Sequence, residues 1–132
     1  KIIICGKGLP EEMNELKTYA DKNIIYTGFI SDIATYYKAA DIFLNPVLSG
    51  GGVKTKIVEA ISYGTTVIST ETGAAGMVKE VCGEKLQIVA YDSWESFERK
   101  IIKNKSIKNQ TPQEYYNYYF YPNIIERIIR LV

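Results

Sequence analysis

The chain has 132 residues, 46% of them hydrophobic and 23% charged, which is one ordinary globular domain's worth. Sixteen basic residues against fifteen acidic ones leave a net charge of +1, so bulk attraction to nucleic acid or to an anionic membrane is not its main business. With no histidine, histidine-based triads, imidazole bases and Cys/His zinc sites are excluded. The two cysteines, Cys5 and Cys82, form neither a C-x-x-C motif nor a disulfide framework, and they read as small apolar residues in a reducing compartment. The apolar runs are too short to span a membrane or to serve as a signal peptide.

The chain opens with Lys1 and passes at once into Ile2-Ile3-Ile4-Cys5, a run that reads as a strand buried on both faces. An opening without Met and directly into a core strand favours a piece of a longer protein. The turn Gly6-Lys7-Gly8 follows. Pro10, with Glu11 and Glu12 behind it, predicts a helix start, and Met13, Leu16, Lys17 and Ala20 share a helical face. A strand over Ile24–Thr27 ends at Gly28. Ser31 or Asp32 caps a helix running to Ala39 or Ala40. Asp41 leads into a strand over Ile42–Asn45, stopped by Pro46.

The loop Ser49-Gly50-Gly51-Gly52 precedes a helix expected from Val53 to Tyr63. Its apolar positions Val53, Ile57, Ala60 and Ile61 follow helical spacing, and Gly64 sits just past its end. A strand over Thr66–Thr70 comes next, then a small-residue loop with Gly73 and Gly76 and a helical turn or two near Met77–Val81. Leu86–Ala90 reads as a fifth strand. Asp92 or Ser93 caps a helix to Asn104, with Trp94, Phe97 and Ile101 on one face. Lys103–Gln110 is a polar linker before two last helices, Thr111–Tyr119 and Asn123–Leu131.

Strands alternating with helices imply right-handed crossovers and a Rossmann-like, doubly wound parallel α/β sheet. The whole chain reads as a single such domain of about five strands with flanking helices and two C-terminal helices. Ligands bind such sheets outside the carboxyl ends of the strands. The loops at Gly6–Leu9, Gly28–Ser31, Pro46–Val53 and Glu71–Met77 are therefore the candidate ligand loops. For the Gly6 and Gly28 loops, tight turning alone explains the glycines as well.

The loop before Lys54 carries the most chemistry. Three glycines before a helix expose backbone N–H groups at its positive end, a ready anion site. Lys54 and Lys56 sit where the helix dipole disfavours cations by about 0.3–1 kcal/mol each, a sign that a bound phosphate would reverse. Against this, both lysines fit solvated surface side chains, with Lys56 pairing Glu59. The loop is not a Walker motif. Glu59 lies on a helix face with Lys56 and Tyr63, placed to accept hydrogen bonds from ribose hydroxyls.

Four stretches, in this order, carry a family resemblance: Ile2–Gly8, Asn23–Ile30, Tyr37–Pro46, and Gly52–Gly64 followed by Thr66–Thr70. Gly73–Met77 extends it. The pattern resembles the C-terminal, nucleotide-sugar-binding domain of a GT-B glycosyltransferase of glycosyltransferase family 4. The resemblance implies a retaining transferase, hexosyltransferase in type, that moves sugar from a nucleotide-sugar to a glycan or lipid-linked acceptor. It implies a cytoplasmic enzyme of polysaccharide biosynthesis, working at the inner face of the membrane, with no metal and no other cofactor. Its partners would be the nucleotide-sugar donor and an N-terminal acceptor domain that these residues lack, against which the helices over 111–132 would pack; nucleic acid is not among them.

By the same resemblance, the donor is held by Gly6, Gly8, Ile30, Gly50, Gly51, Gly52, Val53, Lys54 and Glu59. Ile30 touches the nucleobase through its backbone. Glu59 binds ribose, the amides of Gly52 and Val53 approach the diphosphate, and Lys54 is the catalytic cation facing the phosphates. Gly51 stands where the family carries its first glutamate, and Gly50 to Lys56 match a G-x-G-x-K-x-K subset. The family's diphosphate-gripping Arg and Lys would precede Lys1, so the fragment alone is expected to be inactive. Two other readings compete: a non-catalytic nucleotide- or phosphosugar-binding module, and a structural domain using its tyrosines. Tyr115-Tyr116-Asn117-Tyr118-Tyr119-Phe120-Tyr121 is too aromatic for one helix face to bury. It reads either as an interface for the acceptor domain or as a local satellite core. Arg127 and Arg130 give only weak support for a membrane-surface helix.

Overall fold

The computed structural model describes residues 1–90, 93–104 and 110–131. The chain divides into two compact units, Lys1–Ile33 and the residues from Ala34 onward. The expected single sheet is accordingly two parallel sheets, one in each unit.

In the first unit, β1 (Ile2–Cys5) pairs in parallel with β2 (Ile24–Gly28), and a 3-10 segment over Glu11–Lys22 connects them. The expected burial of β1 on both faces is not observed. Ile2, Ile3 and Ile4 are 48%, 47% and 37% exposed. Within its unit a two-stranded sheet with one connecting segment has too little material to cover both faces. The expected helix after Pro10 is also replaced. Asn14, Glu15 and Leu16 take left-handed backbone angles (φ 43°, 51° and 57°), which break the run. Met13 stays exposed and the segment buries no side chain, so the packing that stabilises a short amphipathic helix is missing.

In the second unit, β3 (Ile42–Asn45), β4 (Thr66–Thr70) and β5 (Leu86–Val89) form a parallel sheet with β4 in the centre. Every residue of β4 is buried. α1 (Ile33–Ala39) leads into β3, and α2 (Thr55–Ser62) crosses from β3 to β4. α3 (Lys79–Cys82) and a 3-10 turn over Gly83–Lys85 lead to β5; α3 is shorter and later than the helical turn expected near Met77–Val81. α4 (Trp94–Asn104) packs Phe97 and Ile101 against Ile68, Val89, Ile42 and Leu44. Its start is capped by Ser93, whose Oγ accepts the Ser96 N–H at 3.3 Å. The alternative cap, Asp92, lies outside the described residues, as does most of the linker expected over Lys103–Gln110. α5 (Gln113–Tyr119) and α6 (Tyr121–Ile129) end the unit.

α2 begins two residues later than expected. Gly52 has φ +73° and Lys54 is extended, so the helical turn cannot start before Thr55. Its far end is closed by Gly64 at φ +86°. Gly64 N–H donates to Ile61 O (2.9 Å) and Thr65 N–H to Ala60 O (3.0 Å), the double bond pattern of a Schellman cap.

The tyrosine cluster is largely local. Tyr115 is 1% exposed, and its hydroxyl donates to Val58 O in α2 at 2.6 Å. Tyr116 donates to Ser62 O (3.2 Å) and Thr111 to Ile61 O (2.9 Å), so α2's last carbonyls are met by side chains from the segment around α5. The Tyr119 hydroxyl accepts the Val78 N–H at 3.0 Å, tying α5 to the start of α3. Phe120, Tyr121, Ile128 and Ile129 remain exposed. Among the described residues no helix is long and apolar enough to cross a membrane.

Candidate functional site

The carboxyl ends of β3 and β4 are built from buried polar side chains, Asn45, Ser69 and Thr70, which need hydrogen-bond partners there. Asn45 Nδ2 donates to Ser69 Oγ at 2.9 Å, and Ser69 Oγ donates to Thr70 O at 3.0 Å. Thr70 Oγ1 donates to Val47 O, at the root of the glycine loop. The same oxygen accepts the Gly73 N–H at 3.0 Å, at the root of the loop after β4. Gly73 is glycine for want of space: a Cβ there would collide with Asn45 Nδ2 and come within 2.6 Å of Ser69 Oγ.

The two loops also meet further out. A Cβ on Gly76 would come 2.9 Å from Val53 Cγ2. Gly50, Gly51 and Gly52 are exposed on the loop that Val53 ends. Gly50 (φ +96°) and Gly52 (φ +73°) hold left-handed turns that a side chain would strain. Lys54 stands at the N-cap of α2, and its Nζ donates to Gly51 O at 2.8 Å, so the ammonium lies over the glycine loop.

One turn along α2, the Glu59 carboxylate is exposed and receives the Tyr37 hydroxyl at 3.5 Å. Tyr37 itself is buried, stacked on Tyr63 (5.9 Å between centroids, planes 16° apart) and edge-on to Phe43 at 5.6 Å. The expected pairing of Glu59 with Lys56 is not seen among the described residues; Lys17–Glu15 and Arg130–Glu126 do pair, both on exposed side chains.

The sequence-predicted site residues thus fall in two groups. Gly50, Gly51, Gly52, Val53, Lys54 and Glu59 come together along the glycine loop and the first two turns of α2. Gly6, Gly8 and Ile30 belong to the first unit, at the carboxyl edge of its strand pair. There Gly6 N–H donates to Gly28 O at 2.8 Å, Tyr26 OH donates to Gly6 O at 2.7 Å, and Lys7 Nζ lies 4.6 Å from the Phe29 ring centre. Sequence reasoning missed Asn45, Ser69, Thr70 and Gly73. The signal was present: three polar residues at the ends of strands otherwise rich in Ile, Leu and Val. Among the described residues no three His, Cys, Asp or Glu side chains converge as metal ligands. An open groove at the far end of α2, lined by Lys38, Tyr63, Gln110 and Tyr116 among others, lies away from this loop.

The family described as glycosyl transferases group 1 matches residues 1–104. The chain belongs to this family. No curated protein matches the sequence. Among solved structures, HepE from Anabaena, crystallised in complex with UDP, is similar with a TM-score of 0.72 at 16% identity, over 98% of this chain and 39% of HepE. TarM is similar with a TM-score of 0.72 at 14% identity, over 99% of this chain and 28% of TarM. At these identities the likeness concerns the fold, the Rossmann-like α/β arrangement of GT-B glycosyltransferases. This group 1 glycosyl transferase chain spans well under half the length of either structure.

Proposed function

We propose that this chain is the C-terminal, donor-binding part of a family 4, GT-B glycosyltransferase that moves a hexose from a nucleotide-sugar to a glycan or lipid-linked acceptor with retention. The observation that carries this reading is the paired loop system at the carboxyl ends of β3 and β4, in a chain of the group 1 family. The amides of Gly52 and Val53, the Lys54 ammonium over the same loop, and the exposed Glu59 carboxylate would make a diphosphate end and a ribose end in sequence along α2. Leaving-group charge on the diphosphate would be stabilised by Lys54 and the loop amides; neither metal nor protein nucleophile enters the scheme. UDP is the first nucleotide to try, because HepE was crystallised with it. Gly6, Gly8 and Ile30 are assigned to the donor by the family resemblance. The acceptor domain would lie outside these residues, and the enzyme would work on polysaccharide at the cytoplasmic face of the membrane.

Gly51, where the family carries a glutamate, favours a second reading: a nucleotide-binding module without sugar contact. Equal affinity for UDP and its sugars would support that module; tighter binding of one sugar nucleotide would support the enzyme.

Glu59→Gln tests the ribose role. The side chain is exposed, so the fold should persist. Nucleotide affinity should fall by about 1.5–3 kcal/mol, the worth of a hydrogen bond to a charged group. Unchanged affinity by calorimetry would contradict the assignment.

A further inference from the structure

We propose that Thr70 is a positioning residue for the diphosphate loop, one hydroxyl that fixes the glycine loop and the loop after β4 relative to each other. The ligand in this inference rests on the donor-binding reading; the coupling of the loops does not. Thr70 ends the central, fully buried strand, where a valine would pack equally well and suit a buried parallel sheet. What the hydroxyl adds is two bonds in two directions. It donates to Val47 O on one loop and accepts from Gly73 N–H on the other. Ser69 and Asn45 belong to the same hydrogen-bonded corner, and Gly73 packs so closely on Asn45, Ser69 and Thr70 that a Cβ there would collide with their side chains. The second joint, Val53 against Gly76, lies at the outer end of the glycine loop, directly before Lys54. Root and tip of the phosphate-facing loop are thus both referred to the loop after β4. Amides that must converge on a diphosphate lose more from a small displacement than does a contact to a nucleoside elsewhere.

Thr70→Val keeps the shape and deletes both bonds; Thr70→Ser keeps the hydroxyl. Hydrogen exchange should accelerate in residues 47–53 and 73–77 together in Thr70→Val, with β4 still protected, and return towards normal in Thr70→Ser. UDP affinity should fall about fivefold in Thr70→Val and uridine affinity less than about twofold, because the two lost bonds reach the ligand only through the loop they position. Where GDP or ADP is the diphosphate bound, its own nucleoside replaces uridine. Exchange that rises in neither loop, or in one alone, would overturn the coupling. An equal loss for UDP and uridine would overturn the positioning role, because a merely structural defect lowers both. If the unaltered chain binds no nucleotide, the donor reading fails and the exchange result alone decides the coupling. Should Thr70→Val not fold, Gly76→Ala presses on Val53 from an exposed position and, at φ +79°, strains the loop after β4 as well, with the Thr70 bonds kept. It should shift the same UDP-to-uridine ratio, and an unshifted ratio would overturn the proposal.

Discussion

These 132 residues, supplied with the correct nucleotide-sugar and acceptor, should yield no transferred sugar. Retaining transfer requires an acceptor hydroxyl held against the anomeric carbon, and such positioning is worth about 7–11 kcal/mol of barrier. In the proposed scheme the glycine loop, Lys54 and Glu59 serve the donor alone, and the acceptor domain lies elsewhere. The chain spans 39% of HepE and 28% of TarM. The check is a product assay with radiolabelled donor and cell-derived acceptor, run beside a longer protein that adds the acceptor domain. Comparable turnover from the two would place the catalytic groups within this chain and reverse the reading.

Tyr115→Ala should cost about 3–5 kcal/mol of stability, the usual loss for emptying a large aromatic site in a core. Tyr115 is among the largest fully buried side chains, and it touches the rings of Tyr116 and Tyr119 at 5.6 and 4.9 Å between centroids. Tyr115→Phe should cost only about 0.5–1.5 kcal/mol, for the bond to Val58 O. Burial also pushes the Tyr115 hydroxyl above the ordinary tyrosine value of 10.0, with the neighbouring Cys82, Tyr119 and Tyr116 adding to it. Because the folded value is raised, this group's contribution is complete below pH 10.0 and declines above it. Denaturant midpoints measure all three quantities. A loss below about 1 kcal/mol for Tyr115→Ala would contradict the role of α5 as part of the core.

The legible parts of the fold are those where local pattern and burial agree. Thr66–Thr70 reads as a strand and is one, buried throughout, and α2 follows its apolar spacing to the Gly64 cap. The failures have physical causes. Ile2–Ile4 looks like core because β-branched residues usually are, yet burial depends on what covers a strand, which its own residues do not encode. The residues after Pro10 carry a helical spacing but find no surface to pack, so left-handed angles at Asn14–Leu16 interrupt them. The start of α2 was misjudged by two residues because Val53 fits the apolar stripe; it packs on Gly76 instead. In the candidate site, the glycine loop, Lys54 and Glu59 were visible as charge and glycine in unusual places. The Asn45–Ser69–Thr70–Gly73 corner showed in the sequence only as polar residues at strand ends; which of them bond to each other is set when two strand ends meet across the sheet.

The central claim is a diphosphate site at the loop Gly50–Lys54. Calorimetric titration of UDP, GDP and ADP, each against its own nucleoside, into the unaltered chain and into Lys54→Ala tests it most directly. One diphosphate should bind more tightly than its nucleoside, and Lys54→Ala should remove most of that difference while leaving the nucleoside nearly unaffected. Binding of no diphosphate, or equal losses for diphosphate and nucleoside in Lys54→Ala, would contradict it.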